Sequence, residues 1–276
     1  MAGAEARQVL VAGLRQSRKY GCLCPETLAR IADWALPRHR TPEAALKAAK
    51  RKLHQVYGAY VGQLDLGRVE RAIAALGPGA DQARLREACR AVLAAHASTA
   101  ERLPVLERFY ADLWSVTGVP QSVLDLACGL SPFALPWMGL PDDAAYTGHD
   151  IDERLIALVN HLLVSAGRPP TAVCRDLLVS PPAECADAAL LLKTAPCLEQ
   201  QEAGATQRLL QMLRVNWAVV SFPTRSLGGR AKGMVGNYEE FATDLAQRLA
   251  VPMQTLMYPS ETVYLLALAR GPSPAR

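Results

Sequence analysis

Long apolar runs are missing from this sequence. None of its 276 residues falls in a stretch approaching the roughly 18 apolar residues of a membrane span. Arg7, Arg15, Arg18 and Lys19 interrupt the N-terminal segment before it reaches the length of a signal-peptide core. A soluble cytoplasmic chain with no membrane partner is the expectation. Paired cysteines are also missing. Cys22, Cys24, Cys89, Cys128, Cys174, Cys185 and Cys197 are scattered and include no CxxC. Cys22-Leu-Cys24 is too tight for a common zinc knuckle, and no second pair follows it. The thiols read as small apolar groups, and no metal site is expected. A GxGxxG fingerprint is absent too, which disfavours a pyrophosphate ligand. No internal repeat or low-complexity tract appears, and the only disorder signal is the Gly-Pro-Ser-Pro tail at 271–274.

What is present is a hydrophobic half, 50% of the residues, enough to bury a sizeable core. Charge is unevenly placed. Residues 1–60 hold eleven Lys and Arg against four Asp and Glu, an excess of seven, while the whole chain carries +4, so the remainder is at −3. A basic N-terminal part on a slightly acidic body fits either a polyanion-docking surface or a solvated helical face.

Residues 1–115 read as helical. Leu28, Ile31, Ala32 and Ala35 form an apolar stripe, with Pro25 or Thr27 to open its helix. Thr41-Pro42-Glu43 is a second helix start, with threonine as cap and proline in the first turn, and that helix runs toward Tyr57. Gly77-Pro78-Gly79 breaks the pattern; a helix to about His96 follows, then one capped by Ser98 or Thr99 through Leu113. From Val116 the texture changes. Candidate strands at 122–126, 145–150, 172–175, 188–192, 217–222, 253–258 and 262–269 alternate with helices near 153–165, 202–213 and 238–249. Alternation of this kind predicts a mostly parallel sheet covered on both faces, its last two strands forming an antiparallel hairpin. The expected fold is α/β, a class I (Rossmann-like) methyltransferase sheet at 116–276 behind a helical N-terminal extension at 1–115.

Ligands of such sheets bind outside the carboxyl ends of the strands. After the first strand comes Asp125-Leu-Ala127-Cys-Gly129-Leu-Ser-Pro132. Gly129 permits a tight turn and close approach of backbone to ligand, and Asp125 is placed to accept from a ligand ammonium or to order the loop. After the second comes His149-Asp150-Ile151-Asp152; Asp150 suits the two hydroxyls of a ribose, and Asp152 an N-cap. After the third, Asp176 is followed by Leu177 and Leu178, a carboxylate for an adenine amine beside side chains that cover the ring. Three acidic strand ends in this order favour adenosylmethionine over other nucleosides. Lys193, directly after the fourth strand, meets substrate phosphate or snorkels to solvent. After the fifth strand, Phe222 stacks on a base or fills the core, and Arg225, Arg230 and Lys232 sit in a glycine-rich loop without an acid.

Five blocks taken together resemble the aminoglycoside-resistance 16S ribosomal RNA (guanine-N7) methyltransferases. They are Lys52-Leu-His-Gln-Val-Tyr-Gly-Ala-Tyr60, His96-Ala-Ser-Thr-Ala-Glu-Arg102, Asp125-Leu-Ala-Cys-Gly-Leu-Ser-Pro132, Leu192-Lys-Thr-Ala-Pro-Cys-Leu-Glu199, and Ser221-Phe-Pro-Thr-Arg-Ser-Leu-Gly-Gly-Arg230 with the following Lys232-Gly-Met234 and Asn237-Tyr238. The chain departs from the family at Ser131, where asparagine is usual, and at Pro259-Ser260-Glu261, where Gly-Asn-Glu is frequent.

The resemblance implies S-adenosyl-L-methionine as cofactor. It places Arg102, within the His96 block, on the methionine carboxylate, and adds His96, Ala127, Ile151 and Leu177 to the cofactor residues Asp125, Gly129, Asp150 and Asp176. It implies 16S rRNA in the assembled 30S subunit as substrate and resistance to kanamycin- and gentamicin-type drugs; a monomer is the default expectation. Arg18, Lys19, Lys50, Arg51, Lys52, Arg225, Arg230 and Lys232 are then the RNA-binding candidates, with Phe222 and Lys193 positioning the base. Guanine N7 is nucleophilic when neutral, so no general base is expected. The work is alignment at about 3–3.5 Å of a base drawn from its stack. Rival readings are methylation of another rRNA base at adenine N1, or a non-catalytic rRNA-binding assembly factor.

Overall fold

The structure, a computed structural model, describes residues 2–58, 64–224 and 234–272. Its N-terminal helices are α1 (Ala2–Arg15), α2 (Pro25–Ala35) and α3 (Pro42–Leu53), the last passing into a π-helical turn at His54–Gly58. Thr41 caps α3 as expected, its hydroxyl accepting from the Ala44 amide at 3.2 Å. Pro25 opens α2, and Thr27 is instead a buried residue inside it. Next come α4 (Leu66–Ile73), α5 (Gln82–Leu93), the short α6 (Ala97–Ala100) and α7 (Leu106–Thr117). One continuous helix was expected across 98–113. Pro104 instead sits in a 3-10 turn, Leu103–Val105, because proline removes a helical donor and disfavours helix in the residue before it. His96 rather than Ser98 or Thr99 caps α6.

The sheet contains β1 (Ser122–Leu126), β2 (Ala145–Asp150), β3 (Val173–Cys174), β4 (Cys185–Leu192), β5 (Arg214–Pro223), β6 (Met253–Met257) and β7 (Glu261–Ala267). Helices α8 (Glu153–Ser165), α9 (Ala195–Gln201), α10 (Ala205–Met212) and α11 (Met234–Leu249) connect them. The order is β3-β2-β1-β4-β5-β7-β6. β1 to β5 are parallel, and β7 runs antiparallel to both β5 and β6. This is the class I arrangement the strand pattern predicts. The order reverses between β1 and β4, and that switch point is where a doubly wound sheet opens a crevice.

Apolar packing divides the helical half. Leu10, Leu14, Leu28, Ile31, Leu53 and Tyr57 belong to a core of their own under α1–α3. Phe109, Tyr110, Leu113 and Trp114 of α7 instead join Val123, Phe133 and Leu190 on one face of the sheet. The opposite face is covered by α9–α11. By packing, therefore, α4–α7 go with the sheet, and only α1–α3 and their π-helical turn stand apart.

Candidate functional site

The cofactor-type crevice forms where four strands end. Its lining includes Ala127 after β1, Asp150 and Ile151 at β2, Asp176 and Leu177 after β3, and Lys193 after β4. The loop after β1 makes the necessary turn with two residues in the left-handed region, Ala127 at φ 49° and Gly129 at φ 51°. Glycine accepts that conformation freely; alanine does so under strain, a feature with no sequence signal. The Gly129 amide then donates to Asp150 Oδ2 at 2.9 Å, and the Asp152 amide to Oδ1 at 3.0 Å. Backbone groups thus orient Asp150 from both sides. Burial pushes its carboxyl up to about 6, against the pull of those two amides.

Asp125 is 1% exposed. Tyr146 donates its hydroxyl to Oδ2 at 2.5 Å, whereas Oδ1 is buried with no partner among the described residues. Burial drives this carboxyl up to about 7, although the Tyr146 hydrogen bond and the Arg102 charge both favour ionisation. Asp125 and Gly129, like Arg102, are not among the residues that line the crevice.

Three of the expected site residues have protein partners of their own in the structure. Arg102 is buried, with Nε 2.6 Å from Glu261 Oε1 and Nη2 2.8 Å from Oε2. Its guanidinium also lies 4.6 Å from the Phe109 ring centroid. The protein's own carboxylate occupies the fork expected to meet a ligand carboxylate, and Arg102 is not among the crevice residues. Phe222 is a core aromatic. It is 2% exposed, stacked on Tyr238 at 4.7 Å and packed edge-on against Phe241 and Tyr264, so its ring is not offered to an incoming base. Lys193 does line the crevice, but its Nζ donates to the Ser98 carbonyl at 3.2 Å and to Glu101 Oε2 at 2.9 Å. It neither snorkels nor stands free for phosphate. Its φ of 59° turns the chain off β4 toward that partner. His96 is buried and accepts from the Ser98 amide as the α6 cap.

Among the RNA-binding candidates, Arg18, Lys19 and Arg51 are exposed and Lys50 and Lys52 half-buried on α1–α3 and their connections. Arg38 and Lys52 both approach the Trp34 ring, at 5.1 and 5.6 Å. Arg225, Arg230 and Lys232 lie outside the described residues.

Sequence reasoning missed what the N-terminal helices contribute. Arg30 and Tyr57 line the crevice alongside Arg175, Thr194 and Gln201. Tyr57 donates its hydroxyl to Asp152 Oδ2 and accepts from Arg154 Nη2 at 3.2 Å, while the Cys24 amide donates to the Ile151 carbonyl at 2.8 Å. One signal was available. Thr27 lies four residues before Ile31, on the apolar stripe of α2, and a hydroxyl buried there demands a partner; that partner is Asp176.

A family model described as ribosomal RNA methyltransferase (FmrO) matches residues 16–264. The chain belongs to this methyltransferase family. A 16S rRNA (guanine(1405)-N(7))-methyltransferase of Micromonospora echinospora is 37% identical over 257 residues, covering 92% of this chain and 93% of the relative. One from Serratia marcescens is 40% identical, with coverages of 80% and 82%. Among solved structures, the 16S rRNA methyltransferase RmtF in complex with S-adenosyl-L-homocysteine superposes with a TM-score of 0.79 at 37% identity, over 95% of this methyltransferase and 98% of RmtF. RmtB gives the same TM-score at 31% identity.

Proposed function

We infer that this methyltransferase transfers the methyl group of S-adenosyl-L-methionine to N7 of a guanine in 16S rRNA, the guanine named in its relatives. The observation that carries the reading is the crevice at the β1/β4 switch point, with Asp125, Asp150 and Asp176 ending three successive strands. The residues fit the cofactor. The partnerless Asp125 Oδ1 suits the methionine ammonium. Asp150, held by two amides, keeps lone pairs for ribose hydroxyls. Leu177, Leu178 and Leu198 line the same crevice as Asp176 and would sandwich the purine. When bound, the cofactor supplies an electrophilic methyl on a sulfonium.

N7 of neutral guanine attacks such a carbon directly, so the protein need remove no proton. Its task is to hold the cofactor, receive an unstacked base and exclude water. The product carries a methyl and a positive charge in the decoding site, which excludes kanamycin- and gentamicin-type cations by clash and repulsion and so confers resistance. We assign rRNA docking to α1–α3 and propose the assembled 30S subunit as the substrate form, met by a monomer in the cytoplasm.

The deciding assay is transfer of tritiated methyl to 30S subunits followed by mapping of the modified nucleotide. N7-methylguanine at a single decoding-site position is expected; absence of label, or label on another atom, defeats the reading. The division of labour has its own test. Arg51→Glu combined with Lys52→Glu should lower 30S binding more than tenfold and reduce the log–log salt slope by about 1–2, since each lost phosphate contact removes about 0.9 or less. S-adenosylhomocysteine affinity, measured by calorimetry, should stay within twofold.

A further inference from the structure

The third acidic strand end is built differently from the other two. Asp176 is 2% exposed, and a carboxylate offers about four acceptor positions. Protein groups fill three. Thr27 Oγ1 and Arg30 Nε both donate to Oδ2 at 2.9 Å, and the Leu178 amide donates to Oδ1 at 3.0 Å. One position on Oδ1 is left. Two of these three donors come from α2, outside the sheet. Arg30 also spans the crevice: its Nη2 donates to Gln201 Oε1, at the end of α9, at 2.8 Å. Glu26, one turn earlier, accepts from the Asp176 amide at 3.1 Å and from the Ser180 hydroxyl at 3.0 Å. Helix α2 is thereby clamped on the very turn that carries Asp176.

We propose that Arg30 is a positioning residue for recognition of the cofactor's base: with Thr27 it fixes the Asp176 carboxylate so that a single acceptor position on Oδ1 remains for the exocyclic amine of adenine. The inference rests on the adenosylmethionine reading above and adds that base selectivity is set from the N-terminal helices. A planar guanidinium is suited to this, because its rigid fork reaches Asp176 with one arm and Gln201 with another. Without it, the carboxylate keeps the Thr27 and Leu178 donors but loses its ionic partner and the brace across the crevice.

Simple attachment of α2 to the sheet would give the same contacts, so the test must separate the two roles. Calorimetry with S-adenosylhomocysteine and S-inosylhomocysteine does so, because inosine carries a carbonyl where adenine carries the amine. The wild-type chain should prefer the adenosyl compound by about 30-fold or more, as sites built around a hydrogen bond reject analogues lacking it. Arg30→Met should reduce that preference below fivefold, with Arg30→Lys in between. Equal weakening of both compounds, with the ratio kept, overturns the proposal. If Arg30→Met fails to fold, Thr27→Val takes its place. It removes one Oδ2 donor at nearly constant volume, and the ratio should fall at least threefold; an unchanged ratio again overturns the proposal. A wild-type chain that binds both compounds equally overturns the role of Asp176 but leaves the cofactor reading standing, whereas one that binds neither defeats that reading itself.

Discussion

Glu261→Ala is expected to destabilise the protein by about 3–5 kcal/mol, the cost of stranding one charge of a buried pair. The Arg102 and Glu261 side chains are 3% and 0% exposed, so the guanidinium left behind lies away from bulk solvent. The melting temperature should fall on the order of 10 °C. Removing both charges in Arg102→Met/Glu261→Ala should be milder than Glu261→Ala alone, because nothing is then left buried and unpaired. A double variant as unstable as the sum of the singles would show that the two side chains act independently. The pair also has a pH signature. Burial alone would raise the Glu261 carboxyl, but the charge and hydrogen bonds of Arg102 outweigh it and hold the group below its ordinary value. A depressed carboxyl contributes stability above its unfolded pKa that is lost as pH falls through its folded one. The acid limb of the wild-type stability curve should therefore be steeper than that of the double variant below pH of about 4.5.

Much of the sheet was legible from local pattern. The spans 122–126, 145–150 and 153–165 appear in the structure as read, since each is an apolar run closed by a chemically distinct residue: Asp125 near the end of β1, Asp150 ending β2, and Asp152 capping α8, where it accepts from the Arg154 amide at 2.8 Å. The 202–213 helix was less legible. It appears as α10, shortened at its start because Gly204 at φ 75° turns the chain just before it, and the preceding α9, with Pro196 in its first turn, was not read from the sequence at all. The site was legible as far as its strand ends and no further. Arg102 was read as the partner of a ligand carboxylate; the carboxylate it meets in the structure, Glu261, is 159 positions away, and no spacing rule reports such pairs. Phe222 at a strand end looks the same in sequence whether it faces a ligand or a core; Tyr238, Phe241 and Tyr264 gather around it only in three dimensions. The N-terminal helices showed their excess of positive charge, which says nothing of Arg30 and Tyr57 turning inward to the crevice.

Cofactor affinity should rise with pH up to about 7 and then level off. The group responsible is Asp125, held up to about 7 by burial. A ligand ammonium pairs with the ionised carboxylate, so below that pH each unit costs up to tenfold in Kd. Asp150, pushed up to about 6, steepens the curve further down. Asp125→Asn preserves shape and can still accept from Tyr146, but it offers no charge. Affinity for S-adenosylhomocysteine should fall by about 100-fold, within the 2–5 kcal/mol typical of truncating a buried charge pair, and the slope between pH 6 and 7 should flatten. The same substitution has an opposite effect on the empty protein. A carboxyl whose folded pKa lies above its unfolded value supports stability at low pH and forfeits it as pH rises through the folded value. Without cofactor, Asp125→Asn should therefore melt higher than wild type at pH 8 and by clearly less at pH 5, nearer the unfolded carboxyl's own pKa, as thermal unfolding at the two pH values would show. If Asp125→Asn binds as tightly as wild type, or if it lowers the melting temperature at pH 8, the carboxylate is not held in reserve for a cation. The expected pair of results, a more stable empty protein that has lost its ligand, would mark Asp125 as a charge the fold tolerates only because the cofactor completes it.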